Sequence, residues 1–277
     1  MGPDHSTPAA PRKRPSETRA IVPHTGPVRR ALLTLVTSIE LFLVATLGFV
    51  VVLCVYVPTR LFDSRRLLSG RALRGVAKAA ATFNPFWRFR VIGDVPRERP
   101  KKVVCVSNHL SYADIFLICH LPWEMKWMSK TSIFKIPCVG WGMWLVGDIG
   151  IERASAHSAR AALDQAAAWL SREVPVMIFP EGTRSGTGEM LPFKDGAFRL
   201  AIESSADILP LAIWGTQTAL PKKDFRPGFA RGFVRVGDPI STQGMTVADV
   251  RRLKDLTRER ILALQETLKA EHARSAG

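Results

Sequence analysis

From about residue 91 the chain alternates short apolar runs with longer amphipathic stretches. The runs KKVVCVS (101–107), VPVMIF (174–179), DILPLAIW (207–214) and GFVRV (232–236) are brief, rich in β-branched residues and end in polar loops. Runs of this length and composition predict strands. The stretches 113–121, 155–172 and 194–205 between them predict helices. Such alternation implies an α/β fold, with a central, mostly parallel sheet flanked by helices. A last amphipathic helix, about 247–272, opens with Thr246-x-x-Asp249, the spacing of a capping box.

The first third of the chain is patterned differently. Residues 1–28 are rich in Pro, Ser, Thr and Arg without apolar periodicity, which predicts a disordered basic tail. They lack the layout of a cleavable signal peptide. Residues 31–57, ALLTLVTSIELFLVATLGFVVVLCVYV, hold one charge, Glu40, and are closed by Pro58. As a helix this run is roughly 40 Å long. The uncharged part after Glu40 has 17 residues, near the lower limit for crossing a bilayer. Arg29, Arg30, Arg60, Arg65 and Arg66 flank both ends, so the positive-inside rule assigns no direction. A helix that spans the bilayer, one that enters a single leaflet and a buried core helix all fit the pattern. RLFDSRRLLSGRALRGVAKAAATF (60–83) sets Leu and Ala among regularly spaced Arg, as an amphipathic helix on an anionic lipid surface would. The expected organisation is a tail (1–28), an N-terminal membrane-associated segment of anchoring helices (29–84), an α/β domain (85–245) and a C-terminal amphipathic helix (246–277).

Charge sharpens this division. Of a net +15, residues 1–90 contribute 14 Lys and Arg against 4 Asp and Glu. The excess near the N-terminus points to an anionic membrane surface there. Beside a lipid-inserted segment it is not expected to bind nucleic acid. Cys54, Cys105, Cys119 and Cys138 lie in apolar surroundings without CxxC spacing, so they read as small hydrophobes and no metal site is expected. Four of the seven Trp (Trp123, Trp127, Trp141, Trp144) fall within 123–144, with Met125, Met128 and Met143 among them. Ordinary core, an acyl-chain tunnel and a membrane-interface belt are the competing readings.

Two stretches carry candidate chemistry. NHLSYAD (108–114) follows a predicted strand. Five residues turn a helix through about 140°, so His109 and Asp114 do not share a helical face. With His109 in the loop and Asp114 in the first helical turn, the carboxylate can turn back to the imidazole and fix its tautomer, as a general base requires. The competing reading is structural: Ser111-x-x-Asp114 is itself a capping box. FPEGTRSGTG (179–188) also follows a strand. It crowds Glu181, Thr183, Arg184 and Ser185 around Gly182, suited either to a phosphate or to a surface turn with a Glu–Arg pair. No GxSxG elbow, P-loop or dinucleotide fingerprint is present.

Together, NHxxxxD and FPEGTRS some seventy residues later resemble the glycerolipid acyltransferase family, typified by the bacterial 1-acyl-glycerol-3-phosphate acyltransferases. The resemblance covers about residues 85–240. It includes Lys130 ahead of the Pro137-x-x-Gly140 segment, GDIGIER ending in Arg153, and Pro210 in a later strand. The Arg153 segment departs from the commoner Phe-Ile-x-Arg form. The resemblance implies transfer of an acyl chain from acyl-CoA or acyl carrier protein to the free hydroxyl of 1-acyl-glycerol-3-phosphate, giving phosphatidate. It makes His109 the base and Asp114 its orienter. Asn108, Lys130, Arg153, Glu181, Gly182, Thr183 and Arg184 would contact substrate. A thioester has a good leaving group, so one base suffices, and neither metal nor cofactor is implied. The implied partners are the donor, lysophosphatidate and membrane phospholipids. The implied location is a membrane, in bacteria the inner membrane with the site on the cytoplasmic face. Another lysolipid or an ornithine lipid as acceptor, or a non-catalytic lipid-binding protein, are the alternatives.

Overall fold

The computed structural model describes residues 27–152, 154–185, 187–221 and 228–276. The predicted basic tail falls outside them except for its last two positions, which begin the first helix. Among the described residues, seven strands form one sheet in the order β1-β7-β6-β2-β5-β3-β4. They are β1 (Trp87–Val91), β2 (Val103–Ser107), β3 (Lys126–Lys130), β4 (Ile149–Ile151), β5 (Val176–Ile178), β6 (Asp207–Trp214) and β7 (Ala230–Val236). Every pairing is parallel except β6 with β7. The sheet is thus mostly parallel with helices on both faces, as the alternation predicts.

β2 is buried at every position, which explains its unbroken apolar run. Its neighbours on either side are β5 and β6, with Val106 level with Ile178 and Pro210. One face is covered by α6 (Ala156–Ser171), α7 (Gly196–Glu203) and α8 (Val250–Ala276), through Leu170, Phe198, Leu253, Ile261 and Leu268. The other carries α3 (Ala113–Ile118), with Leu117, Ile118, Trp123, Met125 and Trp127. Strands β1, β3 and β4 were not legible as strands. β1 and β3 read WRFRV and KWMSK, too charged for the pattern, and β4 is three residues long.

The Trp-rich stretch divides in two. Trp123 and Trp127 are core, whereas Trp141 and Trp144, on α5 (Val139–Val146), are exposed. Trp141 meets Phe49 edge-to-face at 5.5 Å. Phe49 belongs to α1 (Pro27–Thr59), which runs one residue beyond Pro58. Residues 34–59 form a helix long and apolar enough to cross a membrane, and only 11% of its most apolar window is buried. A core helix would be mostly covered; this one presents Leu35, Phe42, Leu47 and Val50 outward. The charge within the run, Glu40, accepts a 2.7 Å hydrogen bond from Asn84 Nδ2.

α2 (Leu67–Phe83) was expected to lie with its arginines on lipid headgroups. Arg71 and Lys78 do point outward, but Arg74 turns into the protein. Its guanidinium donates to Asp148 Oδ1 and to Met125 O (3.3 Å), and lies 3.6 Å from Glu124 Oε2. Lys126 Nζ donates to Glu124 Oε1 and to Arg66 O, both at 3.0 Å. Asp148 Oδ1 also accepts from the Trp127 N–H at 2.9 Å. Four buried charges therefore moor α2 to the starts of β3 and β4. The acidic partners are too distant in sequence for an arginine pattern to reveal them.

Burial alone pulls the Arg74 guanidinium down, but Asp148 and Glu124 outweigh it and hold it well above its ordinary value. Removing Arg74 leaves Asp148 buried without a charged partner and Glu124 with Lys126 alone, at a cost of about 3–5 kcal/mol. Arg74→Met is expected to lower the unfolding midpoint by several degrees in detergent solution. Arg71→Met, one turn away and exposed, is expected to leave it within a degree or two. Equal shifts for the two variants would mean that the buried cluster does not hold α2.

Candidate functional site

The parallel strands β2, β3, β5 and β6 end on the same edge of the sheet, where ligands bind in open α/β folds. NHLSYAD leaves β2 there, and Asp114 sits in the first turn of α3. Asp114 Oδ2 lies 2.7 Å from His109 Nδ1 and accepts the N–H groups of Leu110 (2.7 Å) and Ser111 (2.9 Å). Its Oδ1 accepts from Thr216 Oγ1. One carboxylate thus closes the loop and holds the imidazole; the Ser111 hydroxyl donates to Leu220 O and accepts the Ala113 N–H, so the reciprocal half of a capping box does not form. A carboxylate has no proton to give, so His109 presents Nδ1–H to it and keeps the lone pair on Nε2. Among the described residues, no protein group hydrogen-bonds Nε2.

The second motif lies against the first because β5 pairs with β2. Phe179 stacks on the His109 ring with centroids 4.0 Å apart. Glu181 Oε1 accepts the His109 N–H at 2.7 Å, and Ser185 N–H donates to His109 O at 2.8 Å. Arg184 lies 3.5 Å over the ring of Tyr112. The main-chain N–H groups of 109, 110 and 111 are therefore all engaged by Glu181 and Asp114. An oxyanion donor has to come from elsewhere.

Two predicted substrate contacts are buried in this structure. Asn108 is fully buried, and its amide exchanges two hydrogen bonds with the backbone of Ile213 (3.0 and 2.8 Å). It fastens the end of β2 to β6 and has no surface for a substrate. Glu181 is only 4% exposed, and its second oxygen accepts the Leu191 N–H at 3.1 Å. It ties the two loops together through the His109 and Leu191 N–H groups. The other predicted residues are more open. Thr183 and Lys130 are exposed and Arg184 is half-buried, with Lys130 at the end of β3. Gly182 has φ +67°, and a Cβ there would lie 3.0 Å from Lys194 Cε. Arg153 lies outside the described residues. Phe179, Tyr112 and Thr216 were missed as contributors. The first two are inside the motifs and are read as spacers by polar pattern, and Thr216 is a hundred residues from its partner. Thr216 follows Gly215 (φ +85°), where a Cβ would collide with the Arg231 carbonyl.

Burial pushes the Glu181 carboxyl up to about 7, although the His109 and Leu191 N–H groups pull the other way. Below its ordinary value of 4.5 it is neutral in folded and unfolded chains alike. As pH rises from there to about 7, the unfolded chain loses its proton first, so this group's stabilising contribution is lost across that window. Glu181→Gln cannot titrate. The stability difference, wild type minus variant, is expected to be greatest near pH 4.5 and to shrink up to about pH 7, measured as unfolding midpoints; a flat difference contradicts the burial effect.

The Acyltransferase family model matches residues 88–214, which span both motifs. A Chlamydomonas reinhardtii 1-acyl-sn-glycerol-3-phosphate acyltransferase is 35% identical over 236 residues, 82% of this chain and 71% of that one. The mouse 1-acyl-sn-glycerol-3-phosphate acyltransferase alpha is 37% identical over 166 residues, 58% of each chain. The crystal structure of the 1-acyl-sn-glycerophosphate acyltransferase PlsC from Thermotoga maritima superposes with a TM-score of 0.69 at 26% identity, over 87% of this chain and 98% of that one. With the motifs, the sheet and the relatives in agreement, this chain belongs to the glycerolipid acyltransferase family and is an acyltransferase.

Proposed function

We propose that the chain acylates the free hydroxyl of 1-acyl-glycerol-3-phosphate from a thioester donor, giving phosphatidate. The observation that carries the mechanism is the 2.7 Å His109–Asp114 pair with Nε2 left to the substrate. Nε2 takes the proton of the acceptor hydroxyl as its oxygen attacks the thioester carbonyl. The tetrahedral intermediate collapses with loss of the thiolate, which the imidazolium can protonate. Asp114 supports the imidazolium, and no acyl-enzyme is needed. The phosphate is met by cations on the same edge of the sheet, with Arg184 and Lys130 as the leading candidates. The names of the relatives support lysophosphatidate as acceptor. The exposed face of α1 supports a membrane location, which in a bacterium would be the inner membrane with the site toward the cytoplasm.

Release of free thiol on adding lysophosphatidate to a thioester donor tests this reading. His109→Ala is expected to lose about 10²–10⁴-fold in rate while keeping its unfolding midpoint. Asp114→Asn should fall comparably, because a neutral amide cannot support the charge of the imidazolium. Arg184→Lys keeps the charge without the planar fork and is expected to raise KM for phosphate-bearing acceptors more than it lowers kcat. Turnover near wild type in the His109 variant would eliminate the mechanism.

Membrane attachment is expected to resist high salt and to yield to detergent. Burying much of α1's apolar surface outweighs several screened headgroup contacts. Release of the full chain by salt alone would show that α1 does not enter the lipid.

A further inference from the structure

Arg251, Lys254 and Arg258 succeed one another on one flank of α8, beside its buried stripe of Leu253, Thr257 and Ile261. With Pro192, Phe193 and Asp255 they line an open groove of about 630 Å³. Its charge is cationic on balance. Asp255 lies 3.9 Å from Arg251, and Lys254 is held at 2.7 Å by Asp195. The far wall of the groove hangs from the second motif. Lys194 N–H donates to Pro180 O at 2.9 Å, and Leu191 N–H to Glu181 Oε2 at 3.1 Å. Glu181 in turn holds the His109 N–H, so groove and imidazole share one loop. The Arg258 charge is felt at Glu181, opposing the effect of burial there.

We propose that this groove seats the phosphorylated nucleotide end of a coenzyme A thioester, the 3′-phosphate and diphosphate facing Arg251 and Arg258. The proposal rests on the acyl-transfer reading and names its donor. Planar guanidinium forks suit phosphate oxygens, and three phosphates on one ligand match several cations on one flank. The groove is concave and bounded by a loop, which suits a nucleotide better than the convex surface of a carrier protein. No residue of the groove takes part in the His109–Asp114 chemistry, so its loss should appear in donor binding first.

The test uses the full chain in detergent with three donors: an acyl-CoA, its 3′-dephospho form, and acyl carrier protein. In wild type, loss of the 3′-phosphate is expected to raise donor KM about tenfold. Arg258→Ala should raise KM for acyl-CoA by a similar factor, with a much smaller effect on kcat. In that variant the 3′-phosphate should then matter little, since ligand group and arginine share one interaction. Should Arg258→Ala lower the unfolding midpoint, the exposed Arg251→Ala takes its place. Independent effects that multiply would overturn the proposal. So would a KM rise confined to acyl carrier protein, which would make the carrier the occupant. Calorimetry with adenosine 3′,5′-bisphosphate separates the proposal from the acyl-transfer reading on which it rests. Binding by wild type that is lost in the variant upholds the groove even if lysophosphatidate is not acylated, and no binding by wild type ends the proposal.

Discussion

The carboxylate of Asp114 is the point on which the candidate site depends. Four donors converge on its two oxygens: the His109 ring, the N–H groups of Leu110 and Ser111, and the Thr216 hydroxyl. Two of these fix the turn that leaves β2, one fixes the loop after β6, and one fixes the base. An acceptor-only group in a fully buried position can do all of this because every partner brings a proton. The imidazole is thereby pre-set in tautomer and orientation, with no reorganisation left for the moment of reaction.

Around that carboxylate the site is a joint between two loops, and the sheet makes the joint. β2 and β5 pair in parallel, so both motifs emerge at the same height on the same edge. Phe179 covers one face of the His109 ring, Glu181 holds its main chain, and Ser185 closes back on its carbonyl. Through these contacts Glu181 braces the two loops against each other. A buried, braced imidazole also bears on the non-catalytic alternative, because a lipid-binding scaffold has no need of an oriented general base.

The N-terminal helices are joined to this body by charge as well as by packing. Arg74, Glu124, Lys126 and Asp148 cross-link α2 to the sheet, while α1 packs against α2 and α5 with most of its apolar surface outward. Buried ion networks are poor sources of net stability, but they penalise every misaligned docking because a displaced charge has no water to fall back on. The apolar surface of α1 and the exposed Trp141 and Trp144 are thereby held in fixed register with the edge of the sheet that bears His109.

Sequence alone determined what depends on local pattern and residue chemistry. The alternation of buried strands and helices, the long apolar helix and its lone Glu40, and the candidate pair His109 and Asp114 could all be read from spacing. So could the cap at Thr246, where the Thr246 N–H indeed donates to Asp249 at 2.9 Å. The tertiary structure decided what depends on partners far along the chain. It sent Arg74 inward, made Asn108 a clamp on Ile213, turned Glu181 toward backbone N–H groups and split the tryptophans between core and surface. It also recruited KWMSK as a strand by burying Lys126 against Glu124. A polar side chain carries the same letter whether it meets water, substrate or a distant backbone group. Burial and hydrogen-bond geometry decide among them, and both exist only once the strands have paired.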